Sequence, residues 1–169
     1  MIVKFYNFLN NINELNQYEI YDNDDNLNFW GNSGAGVIPY CKKTKRFLIS
    51  YRSGFVNEPY TYGVWGGKID DDEIPTDAVI RELYEETKFN GNIELIKIYT
   101  FIEKSFKYYN YIGIVENEFI PILDFENEDY VWLNFNDLLN INPKHFGLES
   151  LLKDDETINI IKKILNNNI

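Results

Sequence analysis

Apolar and polar positions change rhythm several times along this chain, and each change predicts an element. Residues 33–40, with Ala35, Val37 and Ile38, read as a strand. Residues 42–45, three of them Lys, read as a turn, and residues 46–52 as a second strand, making a hairpin. A loop carrying Gly54, Pro59 and Gly63 follows. Residues 78–87 favour helix and contain neither Gly nor Pro. Just before them, Ile74, Pro75, Thr76 and Asp77 suit a helix start: Thr76 can cap free N–H groups, and Asp77 suits the positive end. Val79, Ile80, Leu83 and Tyr84 would then face a sheet. Residues 93–102 and 108–115 read as strands, the second rich in aromatic and β-branched residues. A short strand is expected at 129–133 and a turn or short helix at 136–140. Segments 148–152 and 156–165 carry apolar residues at helical spacing, among them Ile158, Ile161, Ile164 and Leu165. Residues 1–30 are polar and rich in Tyr, Asn and Asp, which suits an arm or short strand packed on the domain. The Asn-rich stretches 10–16 and 166–168 are expected to fray.

Neither a linker nor an internal repeat divides the chain, so residues 1–169 read as one domain, with 1–30 as an extension and 148–165 as C-terminal helices. Hydrophobic residues at 44% and aromatics at 17% argue against disorder. The formal net charge of −11 argues against a nucleic-acid surface. An acidic chain that handles anions needs local cations, whether bound metal or a few Lys and Arg. Cys41 is the only Cys, which excludes an internal disulfide and points to a reducing compartment: the cytoplasm, or a host's cytoplasm were the source viral. No stretch has the length of a membrane span, and no export signal is expected at the start. Heavy use of Asn, Ile, Lys, Tyr and Phe reads as genome composition rather than function.

The helix at 78–87 carries the chemistry. At about 100° per residue, Glu82, Glu85 and Glu86 fall within an arc of roughly 100°. Carboxylates crowded on one face repel one another unless a cation sits among them, and hard oxygen ligands suit Mg²⁺ or Mn²⁺. Arg81 precedes Glu85 by one helical turn and can pair with it. Gly66 and Gly67 allow close backbone approach, between Trp65 and Lys68. A solvated acidic face would explain three glutamates alone, but not the glycines and spaced Glu73 that accompany them.

Residues 67–89 resemble the Nudix box, G-x5-E-x7-R-E-U-x-E-E-x-G-U, where U is a bulky apolar residue. Gly67, Glu73, Arg81, Glu82, Leu83, Glu85, Glu86 and Phe89 match it. Lys88 stands where the pattern has Gly, and Trp65 where many members have Pro. A left-handed Lys88 would cost about 1–2 kcal/mol, so the helix is expected to run on and end at Asn90 and Gly91. The order of elements resembles the whole Nudix domain, an α/β (α+β) fold with a mixed sheet sandwiched between helices. The resemblance implies an Mg²⁺-dependent hydrolase of a phosphoanhydride in a nucleoside diphosphate linked to another moiety, such as a nucleoside triphosphate, a dinucleoside polyphosphate or ADP-ribose. By the same resemblance Glu82, Glu85, Glu86 and the Gly66 carbonyl hold metal, Arg81 orients a glutamate, Glu73 supports the loop, and a homodimer is the assembly suggested.

Members often carry a further Glu before a Trp. Glu126, ahead of Trp132, matches best as a metal ligand or general base, and Glu128 second; an acidic surface loop is the plain alternative. Arg52, Lys68 and Tyr108 are candidates for substrate binding, with Lys104 and Lys107 better read as a solvated face. His145, the only His, is better read as structural than as a base, and neither it nor Cys41 sits in a nucleophile motif. Two other readings use the same fold. A nucleotide-binding regulator without turnover conflicts with the intact glutamates. An isoprenoid diphosphate isomerase would need a catalytic Cys, for which Cys41 is badly placed. RNA cap removal finds no RNA-binding extension.

Overall fold

The computed structural model describes residues 33–166, so the expectations for residues 1–30 and the Asn-rich stretch at 10–16 lie outside the described residues. Seven strands, β1 (Ser33–Cys41), β2 (Arg46–Arg52), β3 (Tyr62–Gly63), β4 (Trp65–Lys68), β5 (Glu94–Glu103), β6 (Phe106–Val115) and β7 (Asn127–Leu133), form one mixed sheet. Among the described residues four helices accompany it: α1 (Pro75–Thr87), α2 (Phe135–Asn140), α3 (Phe146–Leu152) and α4 (Asp155–Leu165).

The centre of the sheet is β1, which runs parallel to β6 along its whole length, from Ser33 beside Lys107 to Cys41 beside Val115. On its other edge it changes partner. Residues Gly34 to Val37 pair antiparallel with β4, whereas Tyr40 and Cys41 pair with β2. Pro39 sits at the changeover, where the chain needs no ladder donor and proline has none to give. Strand β2 then splays away and pairs with β3 and β7.

Side-chain alternation along the strands feeds two cores. Leu48, Val37 and Tyr111 join Trp65, Ala78, Val79 and Leu83 on the α1 side. Phe47, Ile49, Ile38 and Ile112 join Leu138, Leu148, Leu151, Ile161 and Ile164 on the side of α2, α3 and α4. The sheet is therefore sandwiched between helices, as the sequence predicts. Trp65 is fully buried and its indole N–H donates to the Leu48 carbonyl at 3.1 Å, tying β4 to β2. Trp132 packs edge-on against Phe119 and donates to its carbonyl at 3.2 Å, a packing role.

Four local expectations need correction. Strands β3 and β4 fall where a plain loop is expected; they are short and Gly-bearing, too brief to show alternation. Helix α1 begins earlier, with Ile74 at the N-cap and Pro75 in the first turn, so Thr76 lies inside the helix and caps nothing. Only Val79 and Leu83 of the apolar set on α1 are buried, while Ile80 and Tyr84 stay 49% and 48% exposed. Lastly, α1 stops at Thr87, and Lys88 does take the left-handed conformation (φ 58°, ψ 18°). Its N–H donates to the Tyr84 carbonyl at 2.7 Å and its Nζ to the Glu85 carbonyl at 3.1 Å, over the Tyr84 ring. Just beyond it Phe89 stacks on Phe119 with centroids 4.2 Å apart, so tertiary packing turns the chain before Asn90 and Gly91 can.

Candidate active site

Arg81 organises the glutamates. Its Nε and Nη2 donate to the two oxygens of Glu73 at 3.0 and 2.9 Å, a bidentate grip on the loop before α1. From the same guanidinium, Nη1 donates to Glu82 at 2.7 Å and to Glu85 at 3.1 Å, and Nη2 to the Lys68 carbonyl at 2.9 Å. Glu73 also accepts the Asp70 N–H at 3.1 Å. The bond to Arg81 holds the Glu73 carboxyl below its usual range, and the bond to Glu73 raises the guanidinium in turn. Arg81 thus positions two helix carboxylates and fixes the loop.

Glu86 lies deeper, between α1 and the sheet. It accepts the Gly66 N–H at 2.8 Å with one oxygen and the Asn127 side-chain amide at 3.1 Å with the other. Burial raises its carboxyl well above the usual range, with Asp124, Glu82 and Glu126 adding to the push. Burial also raises Glu82, with Glu85 and Glu126 contributing, and raises Glu126, with Asp124 and Glu85 contributing.

Each glycine of the pair makes room for something different. Gly66 has φ +147°, and a Cβ there would stand 2.2 Å from the Ala35 carbonyl oxygen. At Gly67 a Cβ would strike the Glu82 carboxyl at 2.7 Å. One glycine lets β4 lie against β1; the other leaves space for a helix carboxylate.

Tyr108 and Arg52 close the opposite wall. Tyr108 is paired with Gly34 across β1 and β6, and its ring lies over Gly34 and Gly36, where added Cβ atoms would meet it at 2.6 Å. Burial pushes its hydroxyl up, helped by Glu86 and Glu82. Burial pulls the Arg52 guanidinium down, opposed by Glu86, Glu126, Tyr108 and Glu58. Arg52, Tyr108, Glu126 and the α1 glutamates therefore share one cluster. Lys68 enters through its carbonyl; its side chain is exposed.

Glu126 precedes β7, half-buried in the cluster, whereas Glu128 is exposed. Asp124 and Asn127 are the residues that sequence reasoning missed. Asp124 accepts from the Glu126 N–H at 3.0 Å and the Asn127 amide at 3.3 Å, and Asn127 orients Glu86. An acidic stretch was visible there, but a lone Asn carries no signal until β7 brings it beneath α1. His145 caps α3, its Nδ1 accepting the Gly147 N–H at 3.1 Å. Burial, aided by nearby Arg52, pulls it down to about 3, so it stays neutral. A structural His beside the site fits this better than a general base.

Among the described residues, no three His, Cys, Asp or Glu side chains are arranged closely enough to hold a metal ion. The chemistry of the donors nonetheless fits a hard divalent cation. Burial and mutual repulsion penalise the ionised forms of Glu82, Glu86 and Glu126 even with Arg81 and Arg52 nearby, and a divalent cation among their oxygens would relieve that penalty. No helix among the described residues is long and apolar enough to cross a membrane.

Residues 32–154 match the model of the NUDIX domain. Haemophilus influenzae dihydroneopterin triphosphate diphosphatase is 27% identical over 146 residues, 75% of this chain and 89% of the relative. Two solved structures share the fold at low identity. A C. elegans Ap4A hydrolase binary complex superimposes with a TM-score of 0.55 at 23% identity, covering 71% of this chain and 92% of that one. The NUDIX domain of Shewanella oneidensis NrtR, complexed with ADP ribose, gives 0.60 at 18%, covering 79% and 96%.

Proposed function

For a chain that belongs to the NUDIX domain family, whose membership carries phosphoanhydride hydrolysis in general, we propose an Mg²⁺-dependent pyrophosphohydrolase. Its substrate would be a nucleoside diphosphate linked to another moiety, as in nucleoside triphosphates, dinucleoside polyphosphates or ADP-ribose. The observation that supports this most is the grip of one arginine, Arg81, on Glu73, Glu82 and Glu85 together. Such a network holds carboxylates on one face of α1 that would otherwise repel.

Glu82, Glu85, Glu86, Glu126 and the Gly66 carbonyl are the residues that would hold the metal, with Mn²⁺ as a substitute. When bound, the ion supplies countercharge to the diphosphate and acidifies water. Arg81 orients Glu82 and Glu85 throughout. Asn127 and the Gly66 N–H aim Glu86. Arg52, the cation of the cleft wall, binds phosphate oxygens as charge develops on the leaving group. Tyr108 and Lys68 line the same path, the Lys68 side chain from the rim. Glu126, raised by burial, takes the proton of the attacking water at its carboxylate.

Incubating the protein with Mg²⁺ or Mn²⁺ and a panel of nucleoside triphosphates, dinucleoside polyphosphates, ADP-ribose and nucleotide sugars, with products resolved by chromatography, would identify substrate and bond. Glu85→Gln and Glu86→Gln should fold yet lose about 10²–10⁴ in turnover. Near-wild-type rates in both would overturn the assignment. Tight binding without turnover in the wild type would instead favour a nucleotide-binding regulator.

A further inference from the structure

Arg52 leaves the sheet at an irregular point. The register of β2 against β7 shifts between Tyr51 and Arg52, which pairs with Asn127, and a break of this kind re-aims the side chain beside it. The guanidinium then meets its own loop. Its Nε donates to the Asn57 carbonyl at 3.0 Å, and among the described residues Nη1 and Nη2 make no hydrogen bond. Glu86, Glu126 and Tyr108 lie within electrostatic reach of it. Arg52 is thus held from behind at Nε, and its outer donors stay free.

The residue after Asn57 holds that grip in place. Glu58 has φ 49°, and Tyr60 has φ 59°. Residues with side chains keep such a backbone only where the surroundings hold them to it. The Glu58 carbonyl accepts the Thr61 hydroxyl at 2.7 Å, and its carboxylate accepts the N–H of Phe146, 88 residues along the chain, at 2.9 Å. His145 Nε2 lies 4.0 Å from the same carboxylate oxygen. Because Nδ1 accepts the Gly147 N–H, neutral His145 carries its proton on Nε2, on the side of Glu58. The segment that supplies these partners is tied to β3 in turn: the Tyr62 N–H donates to the Pro143 carbonyl at 2.9 Å and the His145 N–H to the Tyr62 carbonyl at 2.8 Å. At the loop's base the Arg52 N–H donates to the Thr61 carbonyl at 2.9 Å and the Tyr60 N–H to the Arg52 carbonyl at 3.1 Å. A carboxylate that accepts one N–H at a helix start ordinarily serves that helix alone. Glu58 also fixes the loop whose next carbonyl is the only hydrogen-bond partner of the Arg52 guanidinium among the described residues.

We propose that Glu58 is a positioning residue for Arg52: anchored on Phe146 beside His145, it sets the Asn57 carbonyl that aims the guanidinium at the phosphate oxygens of the substrate. This rests on the hydrolase reading and deepens it. An arginine already held at Nε has given up rotamer freedom before substrate arrives, so less is lost on binding.

The test titrates methylenediphosphonate, whose P–C–P bridge resists hydrolysis, into the full chain with Mg²⁺ by calorimetry. Glu58→Ala, and Glu58→Gly, which takes the left-handed backbone without strain, should each weaken binding about three- to tenfold. Glu58→Gln, whose amide oxygen can still accept the Phe146 N–H, should restore most of it. In an Arg52→Ala background the same Glu58 variants should bring no further loss, a coupling that a merely structural role does not produce. The NMR signal of the Arg52 Nε–H should be protected from solvent exchange in the wild type and in Glu58→Gln, and lose that protection in Glu58→Gly. Unchanged affinity in the Ala and Gly variants, equal losses in the two backgrounds, or a wild type that does not bind the diphosphonate overturns the proposal. Binding with the coupling intact but no turnover of any phosphoanhydride would sink the hydrolase reading alone, and turnover with equal losses in both backgrounds would sink the positioning role alone.

Discussion

The two faces of the sheet obey different rules. On the side of α2, α3 and α4, local chemistry and packing agree. Asp154 caps α4 by accepting the Thr157 N–H at 2.8 Å, Thr157 is buried with its hydroxyl donating to the Ile98 carbonyl at 3.2 Å, and Lys162 and Lys163 complement the last turn. The core beneath is aliphatic and aromatic. On the other side, α1 has no side-chain cap, no basic residue in its last turn and a left-handed Lys88 at its end. It buries Glu86 among other carboxylates. One helix is built for stability, and the other gives up local stability to hold negative charge in one place. Such violations gather where a protein does its chemistry.

The largest test of this contrast is Gly66→Ala. Its Cβ would meet the Ala35 carbonyl at 2.2 Å, in a conformation closed to L-residues. The expected loss is roughly 3 kcal/mol or more, measured by urea denaturation, with activity lost as well. An alanine tolerated within about 0.5 kcal/mol would mean that β4 lies less tightly on β1 than the geometry has it.

How much of each face was legible follows from the same contrast. The α2–α4 side announced itself through the helical spacing of Ile158, Ile161, Ile164 and Leu165, because packing there is the main demand on the residues. The spaced glutamates and glycines of the α1 side were legible as a pattern, but their partners were not. That Asn127 would orient Glu86, that Arg81 would reach the Lys68 carbonyl, and that Ser53 would join two loops depends on long-range register. Strands β3 and β4 were missed for a related reason: their pairing comes from β1 and β2, not from any alternation of their own.

Next in size is the response to pH and metal. Glu82, Glu86 and Glu126 have folded-state values raised above the unfolded ones, so the folded protein binds their protons more tightly. The stability these three groups contribute to the metal-free protein therefore falls as pH rises from about 4.5 through those raised values toward neutrality. Glu73, which is depressed, works in the opposite sense: it stabilises above its unfolded value and loses that contribution as pH falls. His145, held down to about 3, works in the same sense as Glu73, because the unfolded chain takes up its proton as pH falls below about 6.5. Adding Mg²⁺ at about a hundred times its Kd should stabilise by about 2.7 kcal/mol near pH 8, and chelation should remove this. The gain should shrink near pH 5.5, where protons compete for the same oxygens. Thermal melts at both pH values check it, and an equal Mg²⁺ shift at the two would show that the ion binds away from these glutamates.

The smallest effect separates strain that serves the site from strain that merely sits beside it. Lys88 holds its left-handed conformation at a cost of about 1 kcal/mol relative to glycine. Two contacts offset part of that: Nζ on the Glu85 carbonyl at 3.1 Å, and the same ammonium 5.3 Å from the Tyr84 ring centroid, the latter worth about 0.5 kcal/mol at an exposed position. Lys88→Gly should thus stabilise by only about 0.5 kcal/mol, read as a small rise in the urea midpoint with an unchanged slope. Turnover should not move, because glycine keeps the turn and Lys88 touches none of the clustered carboxylate oxygens through any of these bonds. A gain in stability with constant turnover would place this strain outside the chemistry, unlike that at Gly66. A loss of stability would mean that the ammonium's two contacts outweigh the backbone conformation, and that the helix exit is held by its side chain rather than in spite of it.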